Sequence, residues 1–290
     1  VTRGLSGLAV SILCVVALIA MIAAGIFLSL PDVGALKKCM TTELYHVHLC
    51  KTDPGFTSYS QISHHIVDAV IMSEDASFYS HQGIDLVEMK ESFKKDMKEH
   101  RFARGASTIT QQMVKNVFLS KDKSLWRKAQ EIYLALEVEK VFNKQQILTF
   151  YLNVVEFGDG IYGVKAACSH YFNRMPSEIS PEQAAFLAFL LPNPKKYSQS
   201  FKKRELTPFA SKTVKTILNR MQKSHRLSEA DYEVAMTHVG SQLWSGEVNE
   251  SEIYSDHEET PTDQIGDENN SNPSEKDDED DFKFQFDNEP

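Results

Sequence analysis

Between Arg3 and Asp32 the chain carries no charged side chain, and "GLAVSILCVVALIAMIAAGIFLSL" fills most of that interval. An apolar run of this length can lie in water only if something covers it. A helix of about 20 apolar residues spans the hydrocarbon core of a bilayer, whereas the apolar stretch of a cleaved signal peptide is about 7–15 residues. The expectation is one uncleaved transmembrane helix within residues 1–31. Arg3 precedes it and Lys37 and Lys38 come after it, so the positive-inside rule leaves its orientation open.

Charge divides the chain into a body and a tail. From Ser245 to Pro290 there are 17 acidic and 2 basic residues, while residues 1–244 carry a net positive charge. The tail 245–290 is rich in Asp, Glu, Asn, Ser and Pro and cannot bury enough apolar surface to offset its ordering entropy, so it is expected to be disordered. The basic body suits an anionic ligand or a membrane surface.

Residues 32–60 are expected to form a connector with a turn at Asp53-Pro54-Gly55. From 61 to 244 the pattern is helical, and convincing alternating strands are scarce. Ile66, Ala69, Val70 and Ser73 share one face, and Leu125, Ala129, Ile132 and Leu136 form another stripe. Asn143 with Gln146 has capping-box spacing, Ser180-Pro181 with Gln183 marks a helix start, and Ser228 begins another. In "MKESFKKDMKEHRFAR", residues 89–104, Met89, Phe93 and Met97 recur among basic residues, a pattern that fits a membrane interface or an ordinary surface helix. Cys168 reads as a small core residue. Cys39 and Cys50 flank "MTTELYHVHL", where a disulfide and two free thiols are equally compatible with the sequence. His46 and His48, alternating with apolar residues, read as surface histidines, and no Cys or His spacing points to zinc.

The stretch "ARGASTITQQMVKN", residues 103–116, is dense in hydroxyls and amides and holds no acidic residue. Ser107 is the expected N-cap of a helix through Lys115, whose free N–H groups favour an anion. Ser107, Thr108, Thr110, Gln111 and Gln112 supply donors and acceptors for a sugar or phosphate, and Lys115 adds a charge. Upstream, Glu74 and Asp75 close a helical pattern beside Phe78, His81 and Gly83, where a carboxylate near aromatic residues can act as acid or base. Downstream, Arg127, Lys128 and Glu131 share a helix face, either as a surface ion pair or as a carboxylate held among basic groups.

At these residues the chain resembles the peptidoglycan glycosyltransferases, which include monofunctional biosynthetic transglycosylases and the glycosyltransferase domains of bifunctional penicillin-binding proteins. "EDASFYSHQGID", "RGASTITQQMVKN", "RKAQEIYLALEVEKVFNKQQILTFYLN", "FGDGIYGVKAACSHYF" and "ISPEQAAFLAFLLPNP" resemble the family's five motifs in order, across about residues 60–225. The resemblance implies a mainly α, lysozyme-like glycosyltransferase fold with a membrane-contacting jaw at about 86–104, preceded by one transmembrane helix. It implies polymerisation of lipid II into glycan strands, with inversion at the anomeric carbon and release of undecaprenyl diphosphate. Glu74 would be the general base on the acceptor 4-hydroxyl. Lys115, Lys123, Arg127 and Lys128 would stabilise the leaving diphosphate. Glu131 would orient substrate or a divalent cation, Mg2+ or Mn2+, near that phosphate, although no metal site is certain. Ser107, Thr108, Gln111, Gln112 and Asn116 would shape the donor site, and Asp75 and His81 would support Glu74.

The chemistry is consistent with that implication. A sugar diphosphate brings its own leaving group, so one base and positive charge suffice, whereas a glycoside hydrolase generally needs a pair of carboxylates. The family implies an extracytoplasmic catalytic domain on the bacterial cytoplasmic (inner) membrane. The implied partners are lipid II, the growing strand, the membrane, a separate transpeptidase and the divisome or elongasome, with no nucleic acid. Position 76 is Ala and position 91 is Glu where the family commonly has basic residues, and neither KTG nor a meaningful SxxK is present, which reads as a monofunctional enzyme. Two other readings stand beside this one: a lysozyme-like lytic transglycosylase, and a non-catalytic membrane scaffold.

Overall fold

The computed structural model describes residues 9–18, 21, 30–99, 107–122, 124–240 and 243. After a 3-10 turn at Val33–Lys37 comes a hairpin, β1 (Met40–Thr41) and β2 (His48–Leu49). The helices come next: α1 (His64–Glu74), α2 (Leu86–Glu99), α3 (Ile109–Phe118), α4 (Leu125–Val141) and α5 (Lys144–Val154). A second hairpin, β3 (Glu156–Gly158) with β4 (Ile161–Tyr162), leads to α6 (Val164–Phe172) and α7 (Pro181–Leu190). Two short helices, α8 (Pro194–Tyr197) and α9 (Gln199–Lys202), precede α10 (Pro208–Lys223) and α11 (Glu229–His238). Both sheets are two-stranded and antiparallel, so the architecture is mainly helical, as expected.

Helix α7 is the centre of the packing. Glu182 to Leu190 are all buried, which an alanine-rich sequence permits because neighbouring helices can approach closely. Its start matches expectation: Pro181 occupies the first turn, and Gln183 Oε1 accepts the Ser180 N–H at 3.3 Å. Against α7 lie α1, which buries Ile66, Val67, Ala69, Val70 and Ile71, and α10, which buries Ala210, Val214, Ile217, Leu218 and Met221. The Asn143–Gln146 capping box opens α5, and Ser228 caps α11 by accepting the Asp231 N–H.

Residues 32–60 are folded onto the body. Val33, Leu36 and Leu49 join the core, and Asn153 on α5 clasps Thr57, accepting its N–H at 2.8 Å and donating to its carbonyl at 2.9 Å. Cys39 and Cys50 form a disulfide across the first hairpin. That hairpin donates Leu44 N–H to the Asn116 carbonyl (3.3 Å) and Glu43 N–H to that of Val117 (2.9 Å), satisfying two acceptors at the end of α3. His46 and His48 are exposed, and Cys168 is buried, with burial pushing its thiol far up.

Two expectations change. The N-cap of α3 is Thr108, one residue later than Ser107: Thr108 Oγ1 accepts the Gln111 N–H while Gln111 Oε1 accepts the Thr108 N–H. On α4 the stripe Leu125, Ala129, Ile132, Leu136 does not enter the core. Leu125 is 93% exposed and Leu136 38%, while Glu131, Leu134, Ala135 and Val138 are buried. Two apolar stripes run side by side on this helix, and the one carrying Leu134, Ala135 and Val138 turns inward, with Glu131 on the same face held by Lys128 of the helix itself. At the N-terminus, residues 9–18 are helical, but among the described residues no helix is long and apolar enough to cross a membrane. The rest of the expected span lies outside the described residues, as do the tail 245–290, Lys123, and residues 100–104 of the expected jaw. The described part of the jaw is α2, started by Asp85, whose Oδ1 accepts the Val87 and Glu88 N–H groups. Leu86 and Val87 are exposed, while the side chains of Phe93 and Met97 fall outside the described ones.

Candidate active site

Glu74 is the last residue of α1, and Gln112 and Lys115 are one turn apart on α3, facing it. Gln112 Nε2 donates to Glu74 Oε2 at 2.9 Å, and Ser73 Oγ reaches Glu74 Oε1 at 3.4 Å. Burial raises the Glu74 pKa above the ordinary carboxylate range, opposed by these two hydrogen bonds and by the Lys115 charge, and helped by Asp75. A carboxylate so placed can take a proton from a hydroxyl near neutral pH. Behind Gln112 stands Tyr151 of α5, wholly buried, donating its hydroxyl to Gln112 Oε1 at 3.0 Å.

Asp75 is adjacent in sequence but occupied differently. Its Oδ2 accepts the Ile109 N–H at the start of α3 (2.9 Å), and both oxygens lie near His81 Nε2 (3.0 and 3.1 Å). Gly83 N–H donates to His81 Nδ1 at 3.2 Å, so the Nε2 hydrogen is the one directed at Asp75. Thr108 Oγ1 donates to the Gly83 carbonyl at 2.7 Å. Gly83 has a φ of +89°, and a Cβ there would meet the Ala135 carbonyl oxygen at 2.8 Å, so only glycine fits. Asp75, His81, Gly83 and Thr108 thus tie the end of α1 to the start of α3 and hold Glu74 in register with Gln112.

The third part comes from α4. Glu131 is buried and accepts from Lys128 Nζ at 2.5 Å, and the same ammonium reaches Ser107 Oγ at 3.0 Å. Arg127 donates to the Ser120 carbonyl at 3.3 Å. Lys115 is surrounded by these groups. Burial lowers its pKa most, the charges of Arg127 and Lys128 lower it further, and Glu131 and Glu74 raise it. A lysine whose charge is disfavoured by its surroundings gains most from an incoming anion.

The structure therefore brings Glu74, Asp75, His81, Ser107, Thr108, Gln112, Lys115, Arg127, Lys128 and Glu131 into one connected region. Gln111 is buried in the α3 capping box, and Asn116 is buried where its carbonyl receives the first hairpin. Thr110 turns away from Glu74, donating to Glu139 at 2.6 Å. Ala76 is exposed, and exposed Glu91 pairs with Lys94 at 2.8 Å. Glu131 is held by Lys128, and no group of three metal-ligating side chains occurs among the described residues. Sequence reasoning missed Tyr151. The usable signal was a tyrosine in the largely apolar run "ILTFYL", because a buried phenol needs a polar partner.

One desolvated carboxylate facing a cationic cluster defines a group-transfer site for a substrate with an anionic leaving group. The chain belongs to the transglycosylase family, whose model matches residues 44–222. It is similar to the biosynthetic peptidoglycan transglycosylase of Nitrosospira multiformis, 44% identical over 163 residues, covering 56% of this chain and 69% of that one. The proteins of that name from Nitrosomonas eutropha (42% over 171 residues; 59% and 68% covered) and Nitrosomonas europaea (43% over 166 residues; 57% and 66% covered) are similar as well.

Proposed function

We propose that the chain is a peptidoglycan glycosyltransferase that polymerises lipid II. Glu74 deprotonates the 4-hydroxyl of the acceptor sugar, and that oxygen attacks the anomeric carbon of the donor from the face opposite the diphosphate. The glycosidic bond forms as the bond to the diphosphate oxygen breaks, inverting the configuration. Lys115, Lys128 and Arg127 bind the charge that develops on the leaving diphosphate, and Glu131 fixes Lys128. The observation that carries the reading is the geometry of one carboxylate, Glu74, held by Gln112 at the end of α1 and facing Lys115 of α3, with Arg127 and Lys128 beside that lysine. A hydrolase would need a second free carboxylate, and here Asp75 is held by His81 and the Ile109 amide while Glu131 is held by Lys128.

Placement belongs to the same proposal. The catalytic body works on the extracytoplasmic side of the bacterial cytoplasmic membrane, anchored through the apolar stretch before Asp32 and supplying strands to a separate transpeptidase. The Cys39–Cys50 disulfide supports an oxidising compartment, and exposed Leu86, Val87, Leu125 and Trp126 suit a lipid-linked substrate.

The test is polymerisation of labelled lipid II by the detergent-solubilised full chain. Wild type should give glycan strands, and Glu74→Gln should lower the rate by about 100-fold or more, the scale of losing a general base. Absence of polymer from wild type across detergents and divalent cations would overturn the proposal.

A further inference from the structure

Tyr151 has no exposed surface, and its one hydroxyl lies where α5 packs against α3. A buried hydroxyl left without a partner is costly. Its hydrogen goes to Gln112 Oε1 at 3.0 Å, and the other end of the same amide, Nε2, lies 2.9 Å from Glu74 Oε2. A primary amide has an accepting end and a donating end. Turned over, Gln112 would aim its oxygen at Glu74, a geometry that only a protonated carboxyl welcomes. It would also leave the Tyr151 hydrogen without this acceptor. The phenol therefore opposes the flip.

We propose that Tyr151 is a positioning residue, which by donating to Gln112 holds the amide with its NH2 on Glu74 and so keeps the base ionised and aimed. The proposal rests on the glycosyltransferase reading for its consequence, not for its geometry. Burial and the nearby Glu74 and Asp75 raise the Tyr151 phenol well above its ordinary pKa, so it remains a donor through the working pH range. The other charges around Glu74 are Asp75 beside it and Lys115 on α3. From α10, Arg220 donates to the Met72 carbonyl two residues before it. Glu182 of α7 is engaged by His238 and acts on His65, at the opposite end of α1.

The experiment is a carbon-13 titration of glutamate-labelled full chain in detergent without substrate, with the Glu74 signal assigned by its loss in Glu74→Gln. Tyr151→Phe should raise the Glu74 midpoint by about one pH unit, the scale of one hydrogen bond to a charged group. The acid limb of kcat should move with it while KM stays within about two-fold. Gln112→Leu should also raise the midpoint, and adding Tyr151→Phe to it should change nothing more, since the two act in series. An unchanged midpoint in Tyr151→Phe, or additive shifts in the double variant, would overturn the proposal. Should the phenylalanine variant misfold, 3-fluorotyrosine at 151 keeps the shape with a stronger donor, and the midpoint must then fall; a midpoint that stays or rises overturns the proposal equally. Because the titration needs no substrate, its outcome is separate from whether the chain polymerises lipid II.

Discussion

Lys115 has two duties that pull its environment in opposite directions. It must be buried enough to favour an anion over water, yet stay close enough to Glu74 to hold that carboxylate's pKa down against burial. Lys115→Met should therefore lower kcat/KM by at least about ten-fold, the scale of removing one charged group that stabilises a transition state. It should also move the acid limb of the pH–rate profile to higher pH, because Glu74 loses a group that favours its ionised form. A profile that drops in height without moving would separate Lys115 from Glu74. At this scale much was legible from sequence. Glu74, Lys115 and Glu131 are identified by residue type and order. Their supports are not, since Tyr151 is 39 residues from Gln112 and the amide that joins it to Glu74 spans another 38. Only tertiary packing brings such partners together.

Elements were legible where local chemistry decides them. The starts of α5 and α7 are written in three-residue spacings and fall where those spacings put them, whereas α3 is capped by Thr108, one residue after the expected Ser107. The inward face of α4 was not legible, because two apolar stripes compete and only packing against the rest of the fold chooses between them. The first hairpin is the other case, since the sequence left the state of Cys39 and Cys50 open. Its disulfide closes a loop with a separation of 11, which should stabilise the fold by roughly 2–3 kcal/mol on chain-entropy grounds. Cys39→Ser should lower the denaturation midpoint accordingly. Because Glu43 and Leu44 seat the end of α3, amide exchange at Phe118 and its neighbours should quicken in that variant. Equal destabilisation without faster exchange there would mean that the hairpin does not brace α3.

Over the whole molecule, the active site works against stability. Glu74 has a folded-state pKa above its unfolded value, caused chiefly by burial. A group raised in this way contributes fully below its unfolded pKa, and that contribution is lost as pH rises through the folded one. Wild type and Glu74→Gln should accordingly melt alike near pH 4, and the inactive variant should become the more stable as pH rises toward 8. Thermal melts at the two pH values check this, and a variant that is less stable at pH 8 would contradict it. The mainly helical architecture came from periodicity, while the folding of residues 32–60 onto the body did not, because Thr57 meets Asn153 across 96 residues.

That long reach sets an order of events. A ribosome delivers residues 39–57 before any of α3 or α5 exists, and pairings across such separations form late. The Cys39–Cys50 closure needs nothing beyond its own eleven-residue span. The hairpin can thus be finished as a free-standing clip early in biogenesis and wait for Asn116, Val117 and Asn153 to arrive. The clip made first is then seated only once α3 and α5 have been delivered.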